Sequence, residues 1–404
     1  MTSPVVSGSW PGAPAPRYGA LGRPDAGDWY EPEPVPGLPS DLIGVAAGHY
    51  TSFALTARGQ VWSWGANEAL QLGRRQRDEA YTHSPPGPIP GLPPIARLAA
   101  SGVVGFAVTT HGELHAWGTS RRGQLGLGPG ETAAPAPRRV EALADAAAVT
   151  QVSAGWGHAL ALTVDGGVWA WGWPAAGQLG HTLPPEDADE EALAAACVWA
   201  PRRVHALDGR GIVQVAAGYD HSMALGADGR LYTFGDDSLG QLGRREADPG
   251  PADAWLVRGA PAFAKVTAGL GHCLALTPCG QLYSWGWNGA GQLGLGAGEA
   301  AEVVATPQLV YGQPRNRNAL LAAGRVHSVL VTDERDEQDG AELKDNDHAG
   351  AMAGMCASWG SGANGRLGTG QLEEVHHPEL LPMLDGEEVA GLAAGLDHTL
   401  ILAR

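Results

Sequence analysis

The stretch that decides the fold is V-S-A-G-W-G-H-A-L-A-L-T-V-D-G-G-V-W-A-W-G, residues Val152–Gly172. It contains two short apolar runs on either side of Asp165-Gly166. Glycine in the second position of a two-residue turn supplies the positive φ that a tight hairpin needs. A G-Q-L-G element then ends eight residues after the last Trp-Gly, at Gly180. The stretch therefore predicts a hairpin of two strands followed by a closed loop.

The same pattern, A-A-G-x-x-H-s-x-A-L followed by a turn, Trp-Gly and G-Q-L-G, recurs along the whole chain. Its seven copies are separated by steps of 53, 54, 63, 51, 55 and 71 residues. The anchor residues are Gly48, Ser101, Gly155, Gly218, Gly269, Gly324 and Gly395. Each unit predicts four short strands, and a four-stranded unit of about 50 residues is typical of a propeller blade. Blades stacked in a ring remove the sheet edges that would otherwise aggregate.

We therefore predict an all-β fold, a seven-bladed β-propeller with four-stranded antiparallel blades, in a single domain over residues 1–404. The last copy stops at Arg404, directly after H-T-L-I-L and without its Trp-Gly half. The N-terminal residues 1–40 are predicted to complete that blade and close the ring. Residues near 5–10 would pair with the C-terminal strands, and Gly19 to Gly22 would take the G-Q-L-G role.

Two units carry insertions, at residues 184–199 and 333–355, and both are rich in Asp and Glu. Both are predicted to be exposed loops. Two interpretations stay open for them: a tolerated insertion, or an element that binds a partner.

The overall charge limits the classes of partner. The formal net charge is −17 and the chain has no Lys/Arg run, so direct binding to nucleic acid is not expected. Basic protein surfaces are the natural partners of such a field, although the charge also promotes solubility alone. Four scattered cysteines without a secretion signal, and no apolar run near 20 residues, predict a soluble protein that spans no membrane. We expect a monomer in the cytoplasm or the nucleus.

The repeated A-G-x-x-H, Asp-Gly, Trp-Gly and G-Q-L-G elements resemble those of the regulator of chromosome condensation superfamily, over essentially the whole chain. The resemblance implies the propeller fold and several tasks: nucleotide exchange on a small GTPase, UV-B sensing in plants, or scaffolding. One fold hosts many functions, so the resemblance does not select one of them.

Two of these tasks fit the sequence poorly. The plant receptor type carries G-W-R-H-T in neighbouring units, whereas Trp156 is the only Trp at these loop positions and Arg325 lies in a distant unit. The chromosomal exchange factors carry a basic N-terminal extension and an extended loop, and neither is found here. UV-B sensing is therefore the third candidate function, after exchange on a small GTPase.

The recurrent histidines are predicted to be structural, each bonding backbone at the start of a strand. They are His158, His221, His272, His327 and His398. One histidine per blade is spread around a ring and cannot converge on a metal. Neither a catalytic residue nor a metal site is predicted, because the catalytic and phosphate-binding motifs are missing. We also expect no cofactor.

The loop residues beside these histidines differ in chemistry between units, as a binding surface would. We predict a partner-binding rim, with ordinary loop residues as the alternative interpretation. Its members are His49, Tyr50, Trp156, Tyr219, Asp220, Asp236, Asp237, Arg325 and Asp397. The predicted function is a non-enzymatic propeller that binds a protein, either a basic protein or a small GTPase. In the exchange-factor alternative, the rim aspartates would disturb the phosphate and magnesium site of the GTPase.

Overall fold

The computed structural model describes most of the chain. The described residues are 3–8, 19–22, 29–75, 84–181, 189–244, 255–297, 301–313, 315–332, 355–384 and 387–403. They form seven four-stranded sheets, numbered here in chain order.

Three sheets cover the first half of the chain, and each is built from consecutive strands. Sheet 1 contains β3 (Leu42–Ala47), β4 (Thr51–Thr56), β5 (Val61–Gly65) and β6 (Ser84–Pro88). Sheet 2 contains β7 (Ile95–Ser101), β8 (Val104–Thr109), β9 (Leu114–Thr119) and β10 (Ala133–Arg139). Sheet 3 contains β11 (Val149–Ala154), β12 (His158–Thr163), β13 (Val168–Gly172) and β14 (Val198–Arg203).

Three further sheets repeat this arrangement. Sheet 4 contains β15 (Ile212–Ala217), β16 (His221–Gly226), β17 (Leu231–Gly235) and β18 (Trp255–Leu256). Sheet 5 contains β19 (Lys265–Ala268), β20 (His272–Leu276), β21 (Leu282–Trp287) and β22 (Val303–Leu309). Sheet 6 contains β23 (Leu320–Ala323), β24 (His327–Val331), β25 (Cys356–Gly360) and β26 (Val375–Leu380).

Sheet 7 joins the two ends of the chain. It contains β27 (Val389–Ala394), β28 (Thr399–Ala403), β1 (Ser3–Gly8) and β2 (Trp29–Pro34). Strand β1 pairs antiparallel with β28, from Ser3 opposite Ala403 to Ser7 opposite Thr399. The Gly22 amide donates to Gly19 O at 2.9 Å, the same turn that Gly180 and Gly177 make in sheet 3. That the whole of residues 1–404 is one domain remains a prediction.

The innermost strands hold the sheets together. Strand β3 contacts β7 and β27, and the contacts continue through β11, β15, β19 and β23 back to β27. Neighbouring strands within each sheet pair antiparallel. The predicted all-β propeller with four-stranded antiparallel blades is therefore confirmed.

The second strand of each sheet is buried on both faces because another sheet covers each face. Strand β12 has the sequence H-A-L-A-L-T and all six residues are buried. Alternating Ala and Leu allow this burial, since the small side chains leave room for the sheet on one side.

The Trp-Gly tryptophans fill the spaces between sheets, where a large ring buries much apolar surface. Trp171 is fully buried, and its indole Nε1 donates to Gln124 O of sheet 2 at 2.8 Å. The ring lies against Gly126, where a Cβ atom would stand 2.8 Å from Nε1. This contact explains why the G-Q-L-G element ends in glycine. The same donor bond recurs at Trp64, Trp117, Trp285 and Trp359.

The two insertions differ in what can be described. Within 184–199, the exposed helix α1 (Glu190–Ala195) begins after Asp189, whose side chain accepts from the Ala192 amide at 2.8 Å. The prediction of a loop is therefore wrong for this part of the insertion, because Asp189 caps a helical turn. Residues 182–188 and 333–354 lie outside the described residues. No helix in the described ranges has the length and apolarity needed to cross a membrane.

Candidate protein-interaction site

The loops between the first and second strands of the sheets surround one end of a central cavity. The cavity has a volume of about 400 Å³, and its walls are the innermost strands. Backbone bonds link one loop to the next: the His49 amide donates to Gly102 O at 3.3 Å, and the Trp156 amide to Tyr219 O at 3.2 Å. We call this end the channel mouth, defined by His49, Trp156, Tyr219, Leu270, Arg325 and Leu396.

Three aromatic rings from three sheets stack along one side of the channel mouth. The Trp156 ring lies 4.4 Å from the His49 ring and 5.0 Å from the Tyr219 ring, with interplanar angles of 25° and 20°. Sheet 2 stands between His49 and Trp156, and its loop carries Gly102 at φ +55°. Because Gly102 has no side chain, the two rings meet across it. Trp156 remains 39% exposed, which is unusual for a tryptophan of this fold.

Burial and a neighbouring cation keep the His49 ring neutral. Burial, followed by the charge of Arg325, lowers the pKa of His49 to about 4. Burial and the Asp220 carboxylate raise the pKa of Tyr219, while Arg122 and Arg325 oppose that shift. The His49 and Tyr219 rings are therefore uncharged at neutral pH, so all three rings of the stack are uncharged.

Asp220 lies next to this stack and is an unusual carboxyl group. Its Oδ1 accepts from Gln178 Nε2 at 3.0 Å, and its carbonyl accepts from the Asp236 amide at 2.8 Å. Burial first, and then the Asp236 charge, raise the pKa of Asp220 to about 6. The group therefore carries a proton part of the time in weakly acidic solution.

Asp236 and Asp237 lie in the adjacent loop of sheet 4, where they hold the loop in shape. Asp236 Oδ2 accepts from Ser238 Oγ and Gln241 Nε2, both at 2.7 Å. Asp237 Oδ1 accepts from the Leu242 amide at 2.9 Å. Asn67 and Asn288 make the same bond in sheets 1 and 5. The carboxylates of Asp236 and Asp237 thus have a structural role, which the sequence does not predict.

Two other predicted rim residues, Tyr50 and Asp397, lie outside the aromatic stack. Tyr50 is half-buried and meets the His49 ring edge-on, with centroids 6.2 Å apart. Asp397 is buried, with Oδ1 2.9 Å from the Arg366 guanidinium. Asp397 lies in the predicted loop, next to Leu396 of the mouth, but its side chain is turned away from a partner because Arg366 holds the carboxylate between two sheets.

The five recurrent histidines are fully buried or nearly so, and each bonds a side chain of the next sheet rather than backbone. The Nε2 contacts are His158 to Ser222 Oγ at 2.8 Å, His221 to Cys273 Sγ at 3.2 Å, His272 to Ser328 Oγ at 3.0 Å, His327 to Thr399 Oγ1 at 3.1 Å, and His398 to Ser52 Oγ at 3.0 Å. The expectation of backbone partners is therefore wrong, although each ring lies where a second strand begins.

The partner hydroxyl in turn fixes the histidine tautomer. Ser222 Oγ donates to Gln178 O at 2.8 Å, so its single hydrogen is used and His158 Nε2 must be the donor. The ring is then neutral, and burial lowers the pKa of His158 to about 3. The hydrogen-bonded chain His158–Ser222–Gln178 joins sheets 3 and 4. Among the residues that the structure describes, no cluster of three His, Cys, Asp or Glu side chains could hold a metal ion.

Sequence reasoning missed one cation at this end of the propeller. The Arg122 guanidinium lies 4.2 Å from the centre of the Trp173 ring. Trp173 follows Trp171-Gly172 directly, so an aromatic residue after the Trp-Gly pair was the available signal. Leu270 and Leu396 were also missed, because leucine in a loop carries no sequence signal for binding.

The sheets and the loop-lined mouth define a repeat β-propeller with a central channel. The sequence profile of the RCC1-like domain matches residues 15–401. This chain belongs to the RCC1-like domain family.

Two relatives show the range of that family. The chain is 28% identical to the ultraviolet-B receptor UVR8 of Arabidopsis thaliana, over 92% of this chain and 77% of the receptor. It is 30% identical to the human E3 ubiquitin-protein ligase HERC2, over 93% of this chain but only 7% of the ligase. Among solved structures, Prp20p from Saccharomyces cerevisiae superposes with a TM-score of 0.80 at 24% identity, covering 100% of this chain and 91% of Prp20p. The last similarity shows the fold alone.

Proposed function

We propose that this chain is a non-enzymatic, seven-bladed interaction propeller that binds a partner protein at its channel mouth. The observation that carries the proposal is the stack of His49, Trp156 and Tyr219, in which Trp156 is 39% exposed. Tryptophan, tyrosine and arginine are the residue types that most often anchor protein interfaces. The mouth offers all three within one ring of hydrogen-bonded loops.

The fixed arrangement of the loops at the channel mouth supports the proposal that this surface binds a protein. The loops are tied to each other by backbone bonds and the aromatic rings are already stacked. A partner would therefore meet a preorganised surface, and less side-chain entropy would be lost on binding. Asp220 follows Tyr219 directly and Asp236 and Asp237 lie in the adjacent loop of sheet 4, so we propose that this side of the mouth meets basic side chains.

The relatives are consistent with a protein partner. Prp20p has binding properties to Gsp1p and histones, and yeast RCC1 has been solved bound to Kap60. Guanine nucleotide exchange on a small GTPase is the alternative function, and the same experiment tests it. UV-B sensing ranks third, because the stack contains a single tryptophan.

The test is affinity capture from a cell lysate with the purified chain and with Trp156→Ala/Tyr219→Ala, read by mass spectrometry. We expect a specific protein to be captured by the parent and lost from the double variant. Tyr311→Ala is the matched control, since Tyr311 is 80% exposed and lies in the turn after β22.

The identity of the captured protein distinguishes between the candidate functions. Capture of a small GTPase in its nucleotide-free form, lost in the double variant, would favour the exchange-factor function. Capture of another protein, lost in the same way, supports the interaction propeller. If the double variant captures everything that the parent captures, the channel mouth is not the binding surface.

A further inference from the structure

Arg325 is the cation of the channel mouth. It follows Gly324 in the loop between β23 and β24, and its side chain is exposed. Within the described part of the chain it makes no ion pair, although the protein has 43 acidic residues against 26 basic ones. Its charge acts across the opening, because it adds to the lowering of the pKa of His49 by burial and opposes the raised pKa of Tyr219. An uncompensated guanidinium at an opening favours an anionic ligand.

The remaining residues of the mouth are apolar or uncharged. Leu396 and Leu270 occupy the corresponding positions in the loops on either side of Arg325, in sheets 7 and 5. The stack of His49, Trp156 and Tyr219 fills the opposite side. The mouth therefore suits a group that combines one negative charge with an apolar side chain.

The space below the mouth limits the shape of such a group. The cavity of about 400 Å³ is lined by small residues of the innermost strands, such as Ala99, Ala154 and Ala217. This volume lies in the lower part of the range for ligand pockets. The innermost strands form its side walls, so an internal loop of a partner that came through the mouth would have to enter and return through that same mouth. A chain end has only to enter.

We propose that the channel mouth binds the carboxyl-terminal end of a partner chain, with the terminal carboxylate on Arg325 and an apolar or aromatic side chain against the stack. The inference rests on the proposed function, since it names the part of the partner that enters. It is compatible with a basic partner, because one carboxylate binds locally while the aspartates beside Tyr219 contact the rest of the surface.

The test uses two pooled synthetic libraries of acetylated random pentapeptides, one with a free carboxyl terminus and one with a terminal amide. Immobilised protein is exposed to each pool, and the retained peptides are measured by mass spectrometry. We expect about tenfold greater retention from the free-acid pool, as a charge-assisted bond would give. The retained peptides should be enriched in apolar or aromatic final residues.

Two variants complete the design. Arg325→Gln should lose the preference for the free acid, and this exposed substitution leaves the buried core unchanged. Arg97→Gln is the control, because Arg97 is exposed and lies towards the other end of β7 from the mouth. Equal retention of both pools, no retention of the free-acid pool, or an unchanged preference in Arg325→Gln would overturn the inference.

A failure of the carboxyl-terminal inference can be distinguished from a failure of the proposed protein-binding function. If the lysate partner is lost in Trp156→Ala/Tyr219→Ala but kept in Arg325→Gln, the mouth binds a protein and the carboxyl end is not what it recognises. If the double variant keeps the partner, the proposed function itself fails.

Discussion

Arg366 and Asp397 form an ion pair between sheets 6 and 7, with Nη2 2.9 Å from Oδ1 and both side chains buried. Arg366 occupies the glutamine position of the G-Q-L-G element, where this unit reads G-R-L-G. Asp397 is the residue before the recurrent histidine His398. In sheets 3 and 4 the same two positions hold Gln178 and Asp220, which also bond to each other. The two loop positions therefore form one contact across each of these sheet boundaries.

The first prediction concerns this pair. Replacing either partner alone breaks this buried ion pair, so Arg366→Gln and Asp397→Val should each lower the free energy of unfolding by about 3–5 kcal/mol. The double variant places at these two positions the uncharged residues that the repeat carries at the boundary of sheets 5 and 6, Gln292 and Val326. The free energy of unfolding should fall much less in this double variant than the sum of its decreases in the two single variants. Chemical denaturation measures all three, and additive losses would show that the pair is not coupled.

The second prediction concerns the hydrogen-bonded chain between sheets 3 and 4. Ser222→Ala removes the hydroxyl that bonds both His158 and Gln178 O. An unsatisfied buried donor costs about 1–3 kcal/mol, so the free energy of unfolding should fall by that amount. The exposed Thr110→Ala is the control and should change stability by about 0.5 kcal/mol or less. A loss in Ser222→Ala no larger than in the control would contradict the structural role of the chain.

The third prediction is a dependence of stability on pH. Burial lowers the pKa values of the recurrent histidines, to about 3 for His272 and about 4 for His398, for example. Between pH 6.5 and these values the unfolded chain binds more protons than the folded one, so stability falls as the pH falls. Each such histidine contributes about 1.4 kcal/mol per pH unit in that window. The raised pKa values of Asp220 and Asp237 act in the opposite direction, but the five recurrent histidines outnumber these two groups.

Urea denaturation at several pH values between 7.5 and 4.5 measures this slope. His272→Gln removes one titrating group, so its slope should be shallower than that of the parent. The loss of the bond to Ser328 lowers its stability at every pH and does not alter this comparison. An unchanged slope would mean that His272 does not bind a proton on unfolding in this range.

The fourth prediction concerns the glycine of the A-G-x-x-H element. A Cβ atom on Gly155 would lie 2.5 Å from His158 Cε1 and would also collide with Gly218 O. Because Gly218 O belongs to the backbone, a shift of the histidine ring alone cannot relieve the contacts, so Gly155→Ala should destabilise the protein by about 3 kcal/mol. Gly44→Ala is the control, because the nearest atom to its Cβ would be Leu55 Cβ at an ordinary 3.8 Å. Thermal unfolding compares the two, and equal melting temperatures would show that the contact tolerates a methyl group.

Local sequence determined most of the architecture. A turn such as Asp165-Gly166 determines the hairpin through its backbone conformation, and the apolar runs beside it determine the strands. Both can therefore be predicted from a single repeat. The spacing of seven copies then predicts a propeller, because one unit cannot bury its own faces. The tryptophan of the Trp-Gly pair could be assigned to a sheet interface for the same reason.

The contacts between residues at the channel mouth were decided by the tertiary structure. Trp156 meets His49 only because the ring places the short loop of sheet 2, with Gly102, between them. Asp397 and Asp220 occupy the same repeat position, yet Asp397 is buried by an arginine from another sheet while Asp220 stays half-buried beside Tyr219. Repetition in the sequence specifies what each unit looks like alone. The chemistry of the mouth comes from contacts between units that lie about 50 or more residues apart, which no single repeat encodes.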